Sequence, residues 1–449
     1  MNTRRVAIHL VSCMLAMCGA FLIGCPSQGV GGGGDDNNGN DDGMMDDGNG
    51  NDDGGGSDGG GDDGMGDGGG DPAPVSWSET QEILASDPAD GDRFGTSLAW
   101  SGDTVIVGAS SKDDNQGAAY VYRRAGSTYV FESKLSGEDI FNPQVFGQSV
   151  AILGDTAFVG ASNYAPEGSF EFQIGGVYVF ERTAATWQQT QLLVASDAQS
   201  QDYLGFSIAV EDDVLVAGAF GRDDLTGVVY VFRNIGGVWT QEASFTGDDT
   251  INFNYFGESV AISDGTIVVG AAVQERGTGA AYVFEQVGGL WTQTAKLLSP
   301  EPGETDQFGS TVEIDGDTIV VSSVLFDGDG VLDAGKCYVF NRVDGQWEFF
   351  QTLEAEDLIV GRQFGWSLSL DDDRLAIGAP VVSQIYVFEF FDNRWNRVDQ
   401  LMPGPSRVAY DLFGTSVLLQ NGVIVGGGTT SGESGFAQSG AVYVFENAE

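Results

Sequence analysis

Phe256-Gly257-Glu258-Ser259-Val260-Ala261-Ile262, then Ile267-Val268-Val269-Gly270-Ala271, then Ala281-Tyr282-Val283-Phe284, then Trp291: this stretch decides the fold, because the chain repeats it seven times. The Phe-Gly pairs start at Phe94, Phe146, Leu204 (a leucine substitute), Phe256, Phe308, Phe364 and Phe413. A glycine follows each by 14 residues, at Gly108, Gly160, Gly218, Gly270, Gly378 and Gly427, with Ser322 standing in once. The tyrosines of the next element are Tyr120, Tyr178, Tyr230, Tyr282, Tyr338, Tyr386 and Tyr443. An aromatic residue comes 9 positions after each of the first six, at Tyr129, Trp187, Trp239, Trp291, Trp347 and Trp395.

A period of roughly fifty residues, rich in β-branched residues and glycine, is the sequence form of a β-propeller blade. Four strands per repeat follow from the spacing. Strand A follows Phe-Gly, B is the Ile267-Val268-Val269 type of run, C holds Tyr-Val-Phe, and D starts at the aromatic residue. Strand B is apolar almost throughout, which suits a strand covered on both faces by neighbouring blades. The A–B and C–D turns are short and polar, as at Ser263-Asp264-Gly265 and Gly288-Gly289, which favours tight hairpins. The gap from Gly-Ala to Tyr-Val-Phe runs from 8 to 18 residues, so the length variation sits on the face of the B–C and D–A loops. That face is the one expected to bind.

The seventh repeat ends soon after Tyr443-Val444-Phe445 and has no strand D of its own. At the other end, Trp77 precedes the first Phe-Gly by the usual 17 residues. Residues Val75 to Leu84 are therefore expected to complete the last blade, closing the ring and removing two exposed sheet edges. The fold class expected is all-β, a seven-bladed propeller of four-stranded antiparallel blades, over residues 75–449.

These residues resemble the FG-GAP repeats of integrin α-subunit propellers, and more closely the bacterial FG-GAP proteins that share the pattern. The resemblance covers Trp77 to Glu449 and implies a propeller used in adhesion or ligand recognition. The chain departs from the integrin pattern in one respect. Calcium-binding integrin blades carry an Asp-x-Asp-x-Asp-Gly type of loop between Phe-Gly and Gly-Ala. Here that interval holds only a tight turn, so integrin-style calcium binding is not carried over.

Residues 1–25 have the form of a lipoprotein signal peptide: Arg4 and Arg5, an apolar run, then Leu22-Ile23-Gly24-Cys25. Cys25 is the expected lipidation site, which would place the protein in a bacterial cell envelope, at the outer membrane or cell surface. Residues 26–74 hold 13 aspartates and no lysine or arginine among Gly and Asn, a composition that cannot bury a core and is expected to be a disordered acidic tether. Residues 75–449 carry 17 basic and 53 acidic residues, a net charge of −36. Such a field disfavours nucleic acid and favours cations or basic partners; solubility outside the cell also accounts for it.

The only histidine, His9, lies in the signal peptide, so a mature protein would lack Ser-His-Asp or Cys-His catalysis and histidine-ligated metal. Cys13 and Cys18 leave with the signal, and Cys337, where other repeats have alanine in strand C, is expected to be a small buried residue. Carboxylates recur in the D–A loops (Asp87, Asp90 and Asp92; Glu138 and Asp139; Asp248 and Asp249; Glu354, Glu356 and Asp357). Recurrence in phase suggests a structural or generic electrostatic role, whereas a single catalytic centre would break the repeat. One loop, Asp327-Gly328-Asp329-Gly330-Val331-Leu332-Asp333, spaces its oxygens so that Asp327, Asp329 and Asp333 suit calcium, or else form an ordinary acidic turn. No catalytic residue and no bound cofactor other than that calcium is expected. The function expected is a lipid-anchored, non-enzymatic recognition or adhesion module for an extracellular protein or glycan. The alternatives are a carboxylate-dependent enzyme acting on polysaccharide and a purely structural envelope protein.

Overall fold

The computed structural model describes residues 76–138, 143–184, 186–328, 331–356, 359–404, 411–431 and 437–447. The expected signal peptide with Cys25, the tether 26–74, and Asp139, Asp329 and Asp357 lie outside the described residues. The described residues form a ring of seven four-stranded antiparallel blades. Strands β2–β5 (94–135), β6–β9 (146–193), β10–β13 (207–245), β14–β17 (260–297), β18–β21 (308–353) and β22–β25 (367–401) make blades 1 to 6 in order. Blade 7 combines β26 (Phe413–Gln420), β27 (Val423–Gly428) and β28 (Ala441–Asn447) with the first described strand, β1 (Trp77–Ile83).

The closing strand is a true outer strand of its blade. It pairs from Trp77 opposite Asn447 to Ile83 opposite Val442, with a register shift between Glu79 and Gln81. Each of the other six C–D pairings shifts register between the valine and the aromatic residue that follows it, as at Val121/Tyr122 and Val283/Phe284. A bulge in phase in all seven blades bends every outer strand alike.

Burial follows the order expected from sequence. Strand B is covered on both faces; residues Thr104–Ala109 and Thr266–Ala271 are buried throughout. Strand D alternates, because its outer face meets water. The phenylalanine of Phe-Gly packs edge-on against its own blade's tyrosine, Phe94 to Tyr120 at 5.4 Å and Phe146 to Tyr178 at 5.3 Å between ring centroids.

The glycines explain the rest of the pattern. A Cβ on Gly108 would sit 2.0 Å from the carbonyl oxygen of Gly147 in the next blade, and one on Gly218 would sit 1.9 Å from that of Gly257. That same carbonyl accepts a hydrogen bond from a strand A serine: Ser97 to Gly147 at 2.8 Å, Ser149 to Gly205 at 2.7 Å and Ser207 to Gly257 at 2.7 Å. Ser416 donates to Gly95 at 2.7 Å and so extends the latch across the closure. A second latch lies at the loop face, where the Phe-Gly amide donates to the preceding blade, Phe146 to Gln116 and Phe256 to Thr226 at 3.1 Å each. The seam between blades 5 and 6 differs. There Ser322 replaces the glycine, and Thr311 donates to the Trp366 carbonyl at 3.0 Å instead.

Gly218→Ala should lower the unfolding free energy by about 1–3 kcal/mol or more, the usual cost of overpacking, because backbone supplies the clash and cannot step aside. Urea denaturation measures it, and an unchanged midpoint would refute the close-approach account.

Candidate binding faces

Alternating strand direction puts the B–C and D–A loops on one face and the A–B and C–D turns on the other. On the loop face, the D–A carboxylates are built into the blades. Asp87, Asp197 and Asp249 accept hydrogen bonds from the hydroxyls of Tyr120, Tyr230 and Tyr282 at 2.6, 3.0 and 2.7 Å. Each also meets a cation: Lys134 reaches Asp87 at 2.8 Å, Arg222 reaches Asp197 at 2.9 Å and Lys296 reaches Asp249 at 2.6 Å. Burial pushes Asp87 and Asp249 up, but the lysine and tyrosine hydrogen bonds outweigh it and hold both below the ordinary carboxylate range. In blades 1, 3 and 4 these acids cap buried tyrosines, which is a structural role, whereas Tyr178 bonds Gln144 and Tyr386 bonds Gln384.

The B–C loops of blades 1, 3 and 4 share a left-handed turn. Asp113, Asp114 and Asn115 have φ of 51°, 60° and 68°, and Asp223, Asp224 and Leu225 have 52°, 56° and 65°. Consecutive residues in this region are costly and persist only where the surroundings over-determine them. Here the turn is locked from inside. Asn115 donates to Ser111 and Gly117 to Lys112, and the Lys112 ammonium is itself buried 2.8 Å from Asp92. Arg222 takes the same place in blade 3, 2.9 Å from Asp202.

In the acidic loop of blade 5, Asp327 and Asp333 are brought together. The Asp333 amide donates to Asp327 Oδ1 at 3.0 Å. Burial and the neighbouring Asp327 carboxylate push Asp333 up. Asp329 lies outside the described residues. Among the described residues no group of three or more His, Cys, Asp or Glu side chains is arranged to hold a metal ion. Cys337 is buried in strand C as expected, its thiol pushed up by burial.

Exposed apolar side chains stand on the loop face: Phe170 and Phe172 on the long B–C loop of blade 2, and Ile251 and Phe253 on the loop entering blade 4. The opposite face carries grooves that the sequence reading did not anticipate. One of about 450 Å³ lies between Asp317, Asn341, Asp373 and Trp395. Another of about 530 Å³ crosses from blade 3 to blade 5, between Asp213, Arg233, Trp291 and Arg342.

A family model described as the FG-GAP repeat matches residues 77–122, 129–180, 187–232, 239–284, 291–340 and 347–388, more than half of the chain. The chain belongs to the FG-GAP repeat family. No curated protein matches it. Each matched FG-GAP unit begins on the aromatic residue of strand D and ends in strand C of the next blade, so one sequence repeat is shared between two blades. The A–B interval of the described FG-GAP blades is a tight turn, as between Ser101 and Thr104, with no room for an integrin-type calcium loop.

Among the carboxylates of this FG-GAP propeller, one breaks the repeat and was missed from sequence. Glu313 stands in strand A of blade 5, where Ala99, Ala151, Ala209 and Ala261 occupy the first four blades. It is buried in the seam with blade 6. Burial raises it well above the ordinary range, Asp315 adds to the shift, and a hydrogen bond from the Leu370 backbone opposes it. Aligning the repeats would have found it, since no other blade places a carboxylate there.

The raised value fixes the sign of a pH effect. Glu313 contributes stability that is fully present below its unfolded value of about 4.3 and is lost as pH rises through the higher folded value. Asp87 and Asp249, held low, act in the opposite sense and lose their contribution only at acid pH. Glu313→Gln should therefore be more stable than the native protein at pH 8, with the difference shrinking toward pH 4.5. Chemical denaturation at both pH values measures it; a difference independent of pH would show that the carboxyl stays ionised in the folded state.

Proposed function

We propose that this FG-GAP propeller is a lipid-anchored envelope protein that recognises a macromolecular ligand without turning it over, docking it on the B–C and D–A loop face. The observation that carries the reading is the exposed aromatic pair Phe170 and Phe172, at 102% and 52% of full exposure, on the longest variable loop of a recognition fold. Large exposed apolar side chains ringed by polar groups mark interaction surfaces. The loop is held in place for such a role, since the Gln201 amide donates to the Phe172 carbonyl at 2.9 Å and the Phe172 amide donates to Ser200 Oγ at 3.2 Å. The absence of histidine from residues 75–449 and the structural engagement of Asp87, Asp197 and Asp249 support a role in binding and not in turnover.

Phe170→Ala with Phe172→Ala should weaken retention of envelope components by tenfold or more while leaving the melting temperature unchanged. The check is a pull-down from envelope extract with surface plasmon resonance on the captured species. Product released from envelope polysaccharide during the same incubation would instead establish an enzyme.

Anchoring is proposed on Leu22-Ile23-Gly24-Cys25. No helix among the described residues is long and apolar enough to cross a membrane. Cys25→Ala should move the protein from the membrane to the soluble fraction. Persistence in membranes washed at high salt would overturn the anchor.

A further inference from the structure

Blades 2 and 5 cover the aromatic residue of strand D with an arginine of their own. Arg182 lies 5.2 Å above the Trp187 ring and donates to Asp155 at 2.7 Å. Arg342 lies 4.8 Å above Trp347, with Asp317 3.7 Å from its Nε. Blade 1 does the same with Arg124 over Tyr129, at 5.9 Å. In blade 4 both partners are exchanged: Gly265 stands where Asp155 and Asp317 stand, and Gln286 where the arginine stands. The indole of Trp291 is nevertheless fixed as Trp187 is. Its Nε1 donates to Glu242 at 3.0 Å, as that of Trp187 donates to Glu132 at 2.8 Å. Trp291 is only partly buried, and it lines the groove of about 530 Å³ together with Ile262 and Val287.

We infer that this groove, on the turn face opposite the loops, is a binding site for a neutral oligosaccharide, with Trp291 as its platform. Its size lies within the range of about 300–1,000 Å³ usual for small-ligand sites. The face of an indole is electron-rich, so the weakly positive C–H face of a sugar ring packs on it. Gln286 offers both a donor and an acceptor beside it, the mixed chemistry that a hydroxyl matches. The charges around the groove are largely spent on one another. Arg233 pairs with Asp213 at 2.8 Å and with Glu242, and Arg342 pairs with Glu285. Both oxygens of Glu211 accept backbone amides, from Asp264 at 2.8 Å and Gly265 at 2.9 Å. No arginine is left over for an anionic sugar. The lining still holds five carboxylates against two arginines, which repels an anion further.

The test is isothermal titration of the protein with cellohexaose, xylohexaose, mannohexaose and chitohexaose, and with hexagalacturonate as the anionic comparison. At least one neutral hexasaccharide should bind and hexagalacturonate should not. Trp291→Ala should weaken that binding at least tenfold. Gln286→Arg restores the cover used in blades 2 and 5 at an exposed position, so it should close the site with the melting temperature unchanged. Failure of all four neutral sugars to bind, preferential binding of hexagalacturonate, or binding untouched by both variants overturns the inference. The site is separate from the loop face: Phe170→Ala with Phe172→Ala should leave sugar binding intact, so the two proposals stand or fall independently.

Discussion

Two glycines from neighbouring blades meet with no side chain between them, and the ring is assembled around that contact. The strand B glycine brings its Cα against the carbonyl of the next Phe-Gly, at a distance that leaves no space for a Cβ. At five of the seams a serine hydroxyl from strand A then satisfies the same carbonyl, which would otherwise be a buried acceptor without a partner. Close approach and hydrogen bond depend on each other. The glycine lets the blades come near enough for the serine to reach, and the serine offsets the cost of burying backbone at the centre of the ring. The contact repeats with one geometry at six of the seven seams, and at the seam of blades 5 and 6 Ser322 and Thr311 take its place. The last blade therefore meets the first, and β1 completes it with the bulge found in the other six outer strands.

Outside that inner ring, the blades are joined by groups that differ from seam to seam. The amide pair of Gln191 bonds both ways with the backbone of Trp239, and Gln351 does the same with Trp395, as a short extra strand would. Arg182 reaches back to Glu132 of blade 1, and Arg124 to Glu446 across the closure. Variation becomes affordable there because the inner contacts already set the spacing. Two departures lie at the periphery, the long aromatic loop of blade 2 and Trp291 of blade 4, and a third, Glu313, lies in strand A at the seam of blades 5 and 6. A symmetric scaffold with asymmetric outer residues can carry sites of different chemistry on its two faces.

Much of this was legible in the chain. The rigid 14-residue interval between Phe-Gly and Gly-Ala announces two strands joined by a tight turn, and a missing final aromatic residue announces that Trp77 must supply it. The recurring D–A acids pointed to a structural role, which Asp87 and Asp249 fill by accepting from Tyr120 and Tyr282. The exchange of alanine for Glu313 and of arginine for Gln286 could be seen by aligning repeats. Their consequences could not, because burial and an open groove depend on what the neighbouring blade places opposite. Length variation drew attention to the loop face, yet the turn face, uniform in length, holds the grooves. Cavities arise there from side chains of two blades in one case and three in the other.

The sequence by itself determined the class of fold, the number of blades, the strand order and the closure. All four follow from local spacing and periodicity, which the backbone obeys whatever the side-chain detail. Tertiary structure alone decided which charges meet. Lys112 finds Asp92 within one loop system, while Arg342 finds Glu285 in the preceding blade, and no spacing rule separates those cases. It also decided which aromatic faces remain open, since the covering of an indole is a matter of a few ångströms between side chains on neighbouring strands. Contacts between strands of different blades are set by the rotation from one sheet to the next, a quantity that no single repeat contains.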